Sequence, residues 1–200
     1  MKAVLLLSGG FDSPVAGRML LRQGVELEAL HASFEPVTDD ASVTKAKELC
    51  RLLGIKRLWV AKIGEHLGRV PHDAEAHRYY FLLQKRLLYR LADALADEVG
   101  ADAIATGENL AQVSSQTLPN LVTLEGAARR PLVRPLLGLD KADILRLAKE
   151  WGTYETSVGP ELCDLLGPRF PATTSKPSLV AAAEARVGLA DLPELACHTV

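Results

Sequence analysis

Residues Ser8 to Ser13 read SGGFDS and lie between an apolar run, Ala3 to Leu7, and a stretch able to begin a helix at Pro14. A strand that turns through glycines into a helix is a frame for gripping an anion. Gly9 and Gly10 have no Cβ, so the backbone can bend sharply and aim its N–H groups at an anion seated on the helix N-terminus. Ser8 and Ser13 add hydroxyl donors. Asp12 is the odd member, because a carboxylate facing a polyphosphate repels it unless a hard cation lies between them, and Mg2+ with its oxygen ligands suits that place. The loop points to Mg-nucleotide chemistry. A plainer role for the same residues is a Gly-Gly turn with Ser13 as helix cap and Pro14 at the first helical position. No Gly-Lys-Ser/Thr follows, so this is not a Walker loop, and the third glycine of the dinucleotide fingerprint is missing.

A chain of 200 residues, 48% of them hydrophobic, can bury one substantial core. No apolar stretch approaches the roughly 20 residues that span a bilayer, so a cytoplasmic protein is expected. Cys50, Cys163 and Cys197 form neither a CxxC pair nor an even framework, which argues against structural zinc and against a disulfide scaffold. A formal net charge of −2 offers no global attraction for nucleic acid.

Strand-like runs alternate with helical patterns, the signature of a parallel sheet covered on both faces. Strands are expected at Ala3–Leu7, Val25–Ala32, about Leu58–Ala61, Ala103–Thr106 and Leu132–Leu136. Helices are expected from Pro14 to Gln23, over the face marked by Val43, Ala46, Leu49, Cys50 and Leu53, and from Asp73 to Val99 as one long element. Another follows Asp140, with Ile144, Leu147, Ala148 and Trp151 on its buried side. The fold class is therefore α/β, a Rossmann-like doubly wound parallel sheet. Prolines at 160, 168, 171 and 177 break the later chain, leaving residues 1–177 as the nucleotide domain and 178–200 as a C-terminal helical extension or tail. Ligands of such sheets bind at the carboxyl ends of the strands. The loops after the first, second and fourth strands, carrying Ser8–Ser13, His31–Phe34 and Gly107–Thr117, are expected to meet in one pocket.

Four blocks together, SGGFDSPVA, TGENLAQVSSQTL, RPLLGLDKADI and GTYE, resemble the catalytic domain of ThiI-type tRNA 4-thiouridine synthases, which carry the pyrophosphate loop of the PP-loop ATP pyrophosphatases. The likeness runs from about residue 3 to 177. It implies that ATP adenylates O4 of a tRNA uridine, that pyrophosphate leaves, and that a persulfide sulfur then displaces AMP. By matching position, Leu6, Leu7, His31, Ala32, Lys85, Gly107 and Gln116 join Ser8, Gly9, Gly10 and Ser13 as nucleotide contacts. Gly107 would allow close backbone approach to the nucleotide, Gln116 offers donor and acceptor, and Lys85 supplies charge. Lys141 would stabilise charge at the α-phosphate and Cys163 would carry sulfur, while Cys50 falls on an apolar helix face and reads as core.

Members of the family also carry a THUMP region that docks tRNA, and some a rhodanese domain that bears the persulfide. Neither is present in these 200 residues, so the expectation is a separate THUMP-containing partner, an external persulfide donor, and the homodimer seen in relatives. Service to thiamine synthesis is left open. A local basic rim from Arg129, Arg130, Arg134, Arg169 and Lys176 is also expected. Two rival functions stand beside this one: adenylation of a small molecule, and nucleotide binding without catalysis.

Overall fold

A computed structural model describes residues 1–159 and 165–200. Five strands, β1 (Lys2–Leu6), β2 (Glu26–Ser33), β3 (Arg57–Lys62), β4 (Ala103–Ala105) and β5 (Leu132–Val133), run parallel, and β6 (Leu195–Thr199) lies antiparallel on the edge. The order is β5-β4-β1-β2-β3-β6. The chain winds outward from β1 to β3, returns to the other side of β1 for β4 and β5, and so leaves a switch point between β1 and β4. A crevice opens at such a point.

Alternation along β1 divides the core. Val4 packs toward α5 (Tyr80–Val99), with Leu83, Leu87 and Leu91, whereas Ala3 and Leu5 pack toward α1 (Asp12–Arg22) and α2 (Ala41–Leu53). A Cβ on Gly17 would lie 2.7 Å from Leu5 Cδ2, which is how closely α1 sits on the sheet. Both α2 and α5 end on glycines with φ of +77° and +67°, Gly54 and Gly100, a backbone that costs other residues free energy.

Several boundaries differ from expectation. Helix α1 starts at Asp12 rather than Pro14, which sets the Asp12 carboxylate in the first turn, where the helix dipole favours it. Pro14 is tolerated there because the first four N–H groups have no intrahelical partner. The helix expected from Asp73 to Val99 is two: α4 (Ala74–His77), capped by Asp73 Oδ1 on the Ala76 N–H at 2.7 Å, and then α5. Before them lie α3 (Gly64–Gly68) and a 3-10 turn at Val70–His72. The dense polar segment after β4 holds a 3-10 turn, Ser114–Gln116, and α6 (Leu118–Glu125). The strand expected over Leu132–Leu136 stops after two residues. Helices α7 (Lys141–Glu150) and α8 (Tyr154–Ser157) follow.

The last residues are not a loose tail. Helix α9 (Pro177–Arg186) buries Val180 and Ala183 in the core shared with α5, and its buried Glu184 accepts from Arg86 at 2.8 Å and from Arg90. Cys197 sits exposed on β6.

Candidate nucleotide site

A cleft of about 180 Å³ opens at the β1/β4 switch point. Leu6, Ser8, Asp12 and Ser13 line it from the β1 side, Thr106, Gly107 and Glu108 from the β4 side, and Lys85, Leu88 and Tyr89 from α5, with Gln116 closing it. Of the loops expected to converge, the first and fourth do.

Within the first loop the two serines hold each other. Ser13 Oγ accepts from the Ser8 N–H at 2.8 Å and lies 2.9 Å from Ser8 Oγ, which in turn accepts from the Gly10 N–H at 3.3 Å. The hydroxyls shape the turn before they meet any ligand. A Cβ on Gly9 would come within 3.0 Å of Lys45 Cδ, so the lysine stem lies over the loop while its ammonium donates to the Ser157 carbonyl at 3.0 Å. Nothing in the sequence marks Lys45.

Gly107 lines the cleft and has a second reason to be glycine. A Cβ there would lie 2.5 Å from the Ser13 N atom and 2.7 Å from the Asp12 carbonyl carbon, so the close approach that glycine permits is to the first turn of α1. The glycine locks the two loops of the cleft together.

Glu108 is the residue that sequence reasoning missed. It is 3% exposed and accepts from Lys85 Nζ at 2.7 Å, Tyr89 Oη at 2.6 Å and Arg134 Nε at 2.7 Å. Burial pushes its carboxyl upward, but the Lys85 ammonium and the three donors outweigh that and hold it at about 2. Burial and the neighbouring carboxylate push the Tyr89 phenol well above its ordinary range, so it remains a donor. Lys85 and Tyr89 stand four residues apart on α5 and so share a face. That spacing, with Glu108 inside the polar segment, was the available signal.

Lys141 opens α7 and donates to Asp12 Oδ1 at 2.6 Å, joining helix and loop across the mouth. This pair is open: the two side chains are 45% and 26% exposed. Gln116 is buried, and its Oε1 has no hydrogen-bond partner, a cost that a bound donor would relieve.

Other expected residues stand elsewhere. Leu7 is buried under the loop, its N–H donating to the Leu30 carbonyl. His31 does not line the cleft: Nδ1 donates to the Leu7 carbonyl at 2.9 Å and Nε2 accepts from Ser42 Oγ at 3.2 Å. Burial lowers its pKa and keeps the ring neutral. Ala32 packs on the core beside it. Cys163 lies outside the described residues. Cys50 is fully buried, and desolvation pushes its thiol up to about 12, so it stays protonated.

The expected basic rim is largely used internally. Arg129 and Arg130 pair with Asp93 and Asp97, and Arg134 with Glu108 and Glu125. Of these five, Arg169 and Lys176 have no carboxylate partner among the described residues.

Among the described residues no three His, Cys, Asp or Glu side chains gather to cage a metal. A single carboxylate, Asp12, still fits Mg2+, which is commonly held by one or two carboxylates with the phosphates it accompanies.

The family model described as Thiamine biosynthesis protein (ThiI) matches residues 1–189. A Thermotoga maritima protein named "Probable tRNA sulfurtransferase" is 41% identical over 97% of this chain and 51% of its own length. The chain spans about half the length of the curated relatives it matches. A crystal structure of a 4-thiouridine synthetase–RNA complex with bound ATP superposes with a TM-score of 0.85 at 36% identity, over all of this chain and 55% of that one. The NMN synthetase from Francisella tularensis, at 15% identity, shares the fold alone, with a TM-score of 0.60 over 93% of this chain and 82% of that one. The architecture is that of the PP-loop ATP pyrophosphatases.

Proposed function

The chain belongs to the ThiI family, and from that premise we propose that it is the adenylating unit of an ATP-dependent tRNA sulfurtransferase that makes 4-thiouridine. What supports this is one cleft that collects Ser8, Asp12, Ser13, Lys85, Gly107 and Gln116, with Lys141 bonded across its mouth. The relative of known structure that binds ATP and RNA covers the whole chain.

In this scheme the loop N–H groups and the α1 N-terminus hold the phosphates, and Gln116 Oε1 takes a hydrogen bond from the nucleotide. Asp12 would hold Mg2+, which supplies charge neutralisation when bound. Lys141 sits where α7 meets the loop. As uridine O4 attacks the α-phosphorus and pyrophosphate departs, its ammonium would shift from Asp12 to the oxygen that gains charge. The ribose side rests against Leu6, and Lys85 keeps its remaining donors for the ligand while Glu108 fixes its position. His31 and Leu7 act from beneath by shaping the loop. Cys163 supplies the sulfur half: a persulfide on it attacks C4, the C4–O bond breaks and AMP leaves, a second thiol attacks Cys163 Sγ to free 4-thiouridine and form a disulfide with Cys163, and an external dithiol reductant restores both thiols. A THUMP-containing partner would bring the tRNA, and an outside persulfide protein the sulfur.

The test is pyrophosphate release from ATP and Mg2+ with unmodified tRNA, with and without a THUMP-containing protein from the same cell. Stimulation by tRNA is expected. Release driven only by a small-molecule acceptor, or none even with the partner, would overturn the assignment.

A further inference from the structure

The segment from Leu166 to Ala172 forms a knuckle pinned at both ends to consecutive residues. His77 Nε2 donates to the Leu166 carbonyl at 2.9 Å, and the Ala172 N–H donates to the Arg78 carbonyl at 2.9 Å. The chain between must therefore loop outward, with Arg169 and Phe170 at its crest. The base is closely packed: a Cβ on Gly167 would lie 2.5 Å from Phe81 Cζ. The exit is tied to the polar segment that carries Gln116, since Asn120 Nδ2 donates to the Ala172 carbonyl at 2.9 Å and Thr117 Oγ1 to the Thr173 carbonyl at 2.7 Å. The knuckle thus stands on the same wall as the cleft.

Its chemistry is unlike the rest of the surface. Phe170, at 79%, is the most exposed large apolar side chain described, and the Arg169 guanidinium covers one ring face at 5.2 Å, leaving the other open. Other surface arginines are mostly tied to carboxylates or carbonyls. Arg78, Arg169 and Lys176 have neither among the described residues, and all three lie on or beside the knuckle. An open aromatic face backed by one unspent guanidinium, with Arg78 at the base of the knuckle and Lys176 four residues past its end, matches a polyanion with stackable faces, which is single-stranded nucleic acid. An apolar protein partner would gain nothing from the cations.

We propose that Phe170 is a stacking platform for a base of the RNA substrate next to the cleft, with Arg78, Arg169 and Lys176 on its phosphates. This rests on the tRNA substrate proposed above. It supplies the contact that an overall charge of −2 does not.

The experiment is fluorescence anisotropy of the full chain with a labelled uridine-containing single strand at several salt concentrations, beside ATP binding and melting of each variant. Phe170→Ala should weaken the single strand about tenfold or more with the salt slope kept, and Phe170→Trp should retain it. Arg169→Ala and Lys176→Ala should each flatten the slope by about 0.7. ATP binding and melting should not move, because these side chains touch neither core nor cleft. Wild-type affinity in Phe170→Ala, equal loss for a duplex of the same sequence, or no measurable binding by the wild type at low salt would overturn the inference. Loss of ATP binding by the wild type would instead strike the adenylation proposal.

Discussion

The cleft contains two ionic clusters built on opposite plans. At its floor Glu108 is buried and held by Lys85, Tyr89 and Arg134 together, so the carboxylate stays paired and in place even if one donor turns to a ligand. At its mouth Asp12 and Lys141 share a single 2.6 Å contact in partial contact with solvent. Pairs of that kind add little to stability, on the order of 0–1 kcal/mol. An over-determined cluster keeps its shape when a nucleotide arrives. A single half-exposed contact can exchange partners, Asp12 for a metal and Lys141 for a phosphate oxygen. The contrast divides the site into scaffold and machinery, and substitutions should fall on one side or the other.

The largest effect is expected at the mouth. Asp12→Ala should abolish pyrophosphate release with the melting temperature nearly unchanged, and undiminished turnover would remove Asp12 from the machinery. At the floor, Glu108→Ala should cost about 3 kcal/mol of folding stability, since it leaves Lys85 without its carboxylate and takes one of two from the buried Arg134. An unchanged denaturation midpoint would erase the distinction between the two regions.

The same contrast has a pH signature. The Glu108 carboxyl lies at about 2 in the folded chain against an ordinary 4.5, so the folded state binds its proton less readily than the unfolded one. Its contribution is present above about pH 4.5 and is lost as pH falls from there toward about 2. Urea midpoints measured down that range should fall more steeply for the wild type than for Glu108→Gln.

Next comes Lys141→Ala, for which a fall of about 10² to 10³ in kcat is expected with little change in ATP affinity. A rise in KM alone would make Lys141 a binding residue.

The smallest changes separate the cysteines. Cys163→Ser should release pyrophosphate as the wild type does yet form no thiolated product with a persulfide donor. Cys50→Ser should act through stability only, by about 1–3 kcal/mol, because it buries a hydroxyl within an apolar cluster. Thiolation by Cys163→Ser at the wild-type rate would remove the sulfur relay.

The sheet was legible because each parallel strand is an apolar run bounded by turns, and each of the helices α2 and α5 ends on a glycine with positive φ. The phosphate loop was legible because its glycines, serines and acid stand between strand and helix. What was hidden depended on distances along the chain that no local pattern encodes. Glu108 meets Arg134 across 26 residues, and Lys45 reaches Ser157 across 112. Gly107 was legible as a cleft glycine, but its close approach to Asp12 and Ser13 was not, since sequence shows that space is needed but not all that fills it. β6 was missed because an exposed edge strand loses the apolar alternation by which strands are found.

The central claim is that this cleft moves AMP onto an RNA uridine, and the adenylated RNA itself is the species to look for. The chain should be incubated with ATP labelled at the α-phosphate, Mg2+, unmodified tRNA and a THUMP-containing partner, with every sulfur source withheld, and the RNA then isolated for mass spectrometry. An adenylyl group on a single uridine, discharged as AMP with formation of 4-thiouridine when sulfide is added, is the predicted result. Label that never enters the RNA while ATP is still cleaved would contradict it.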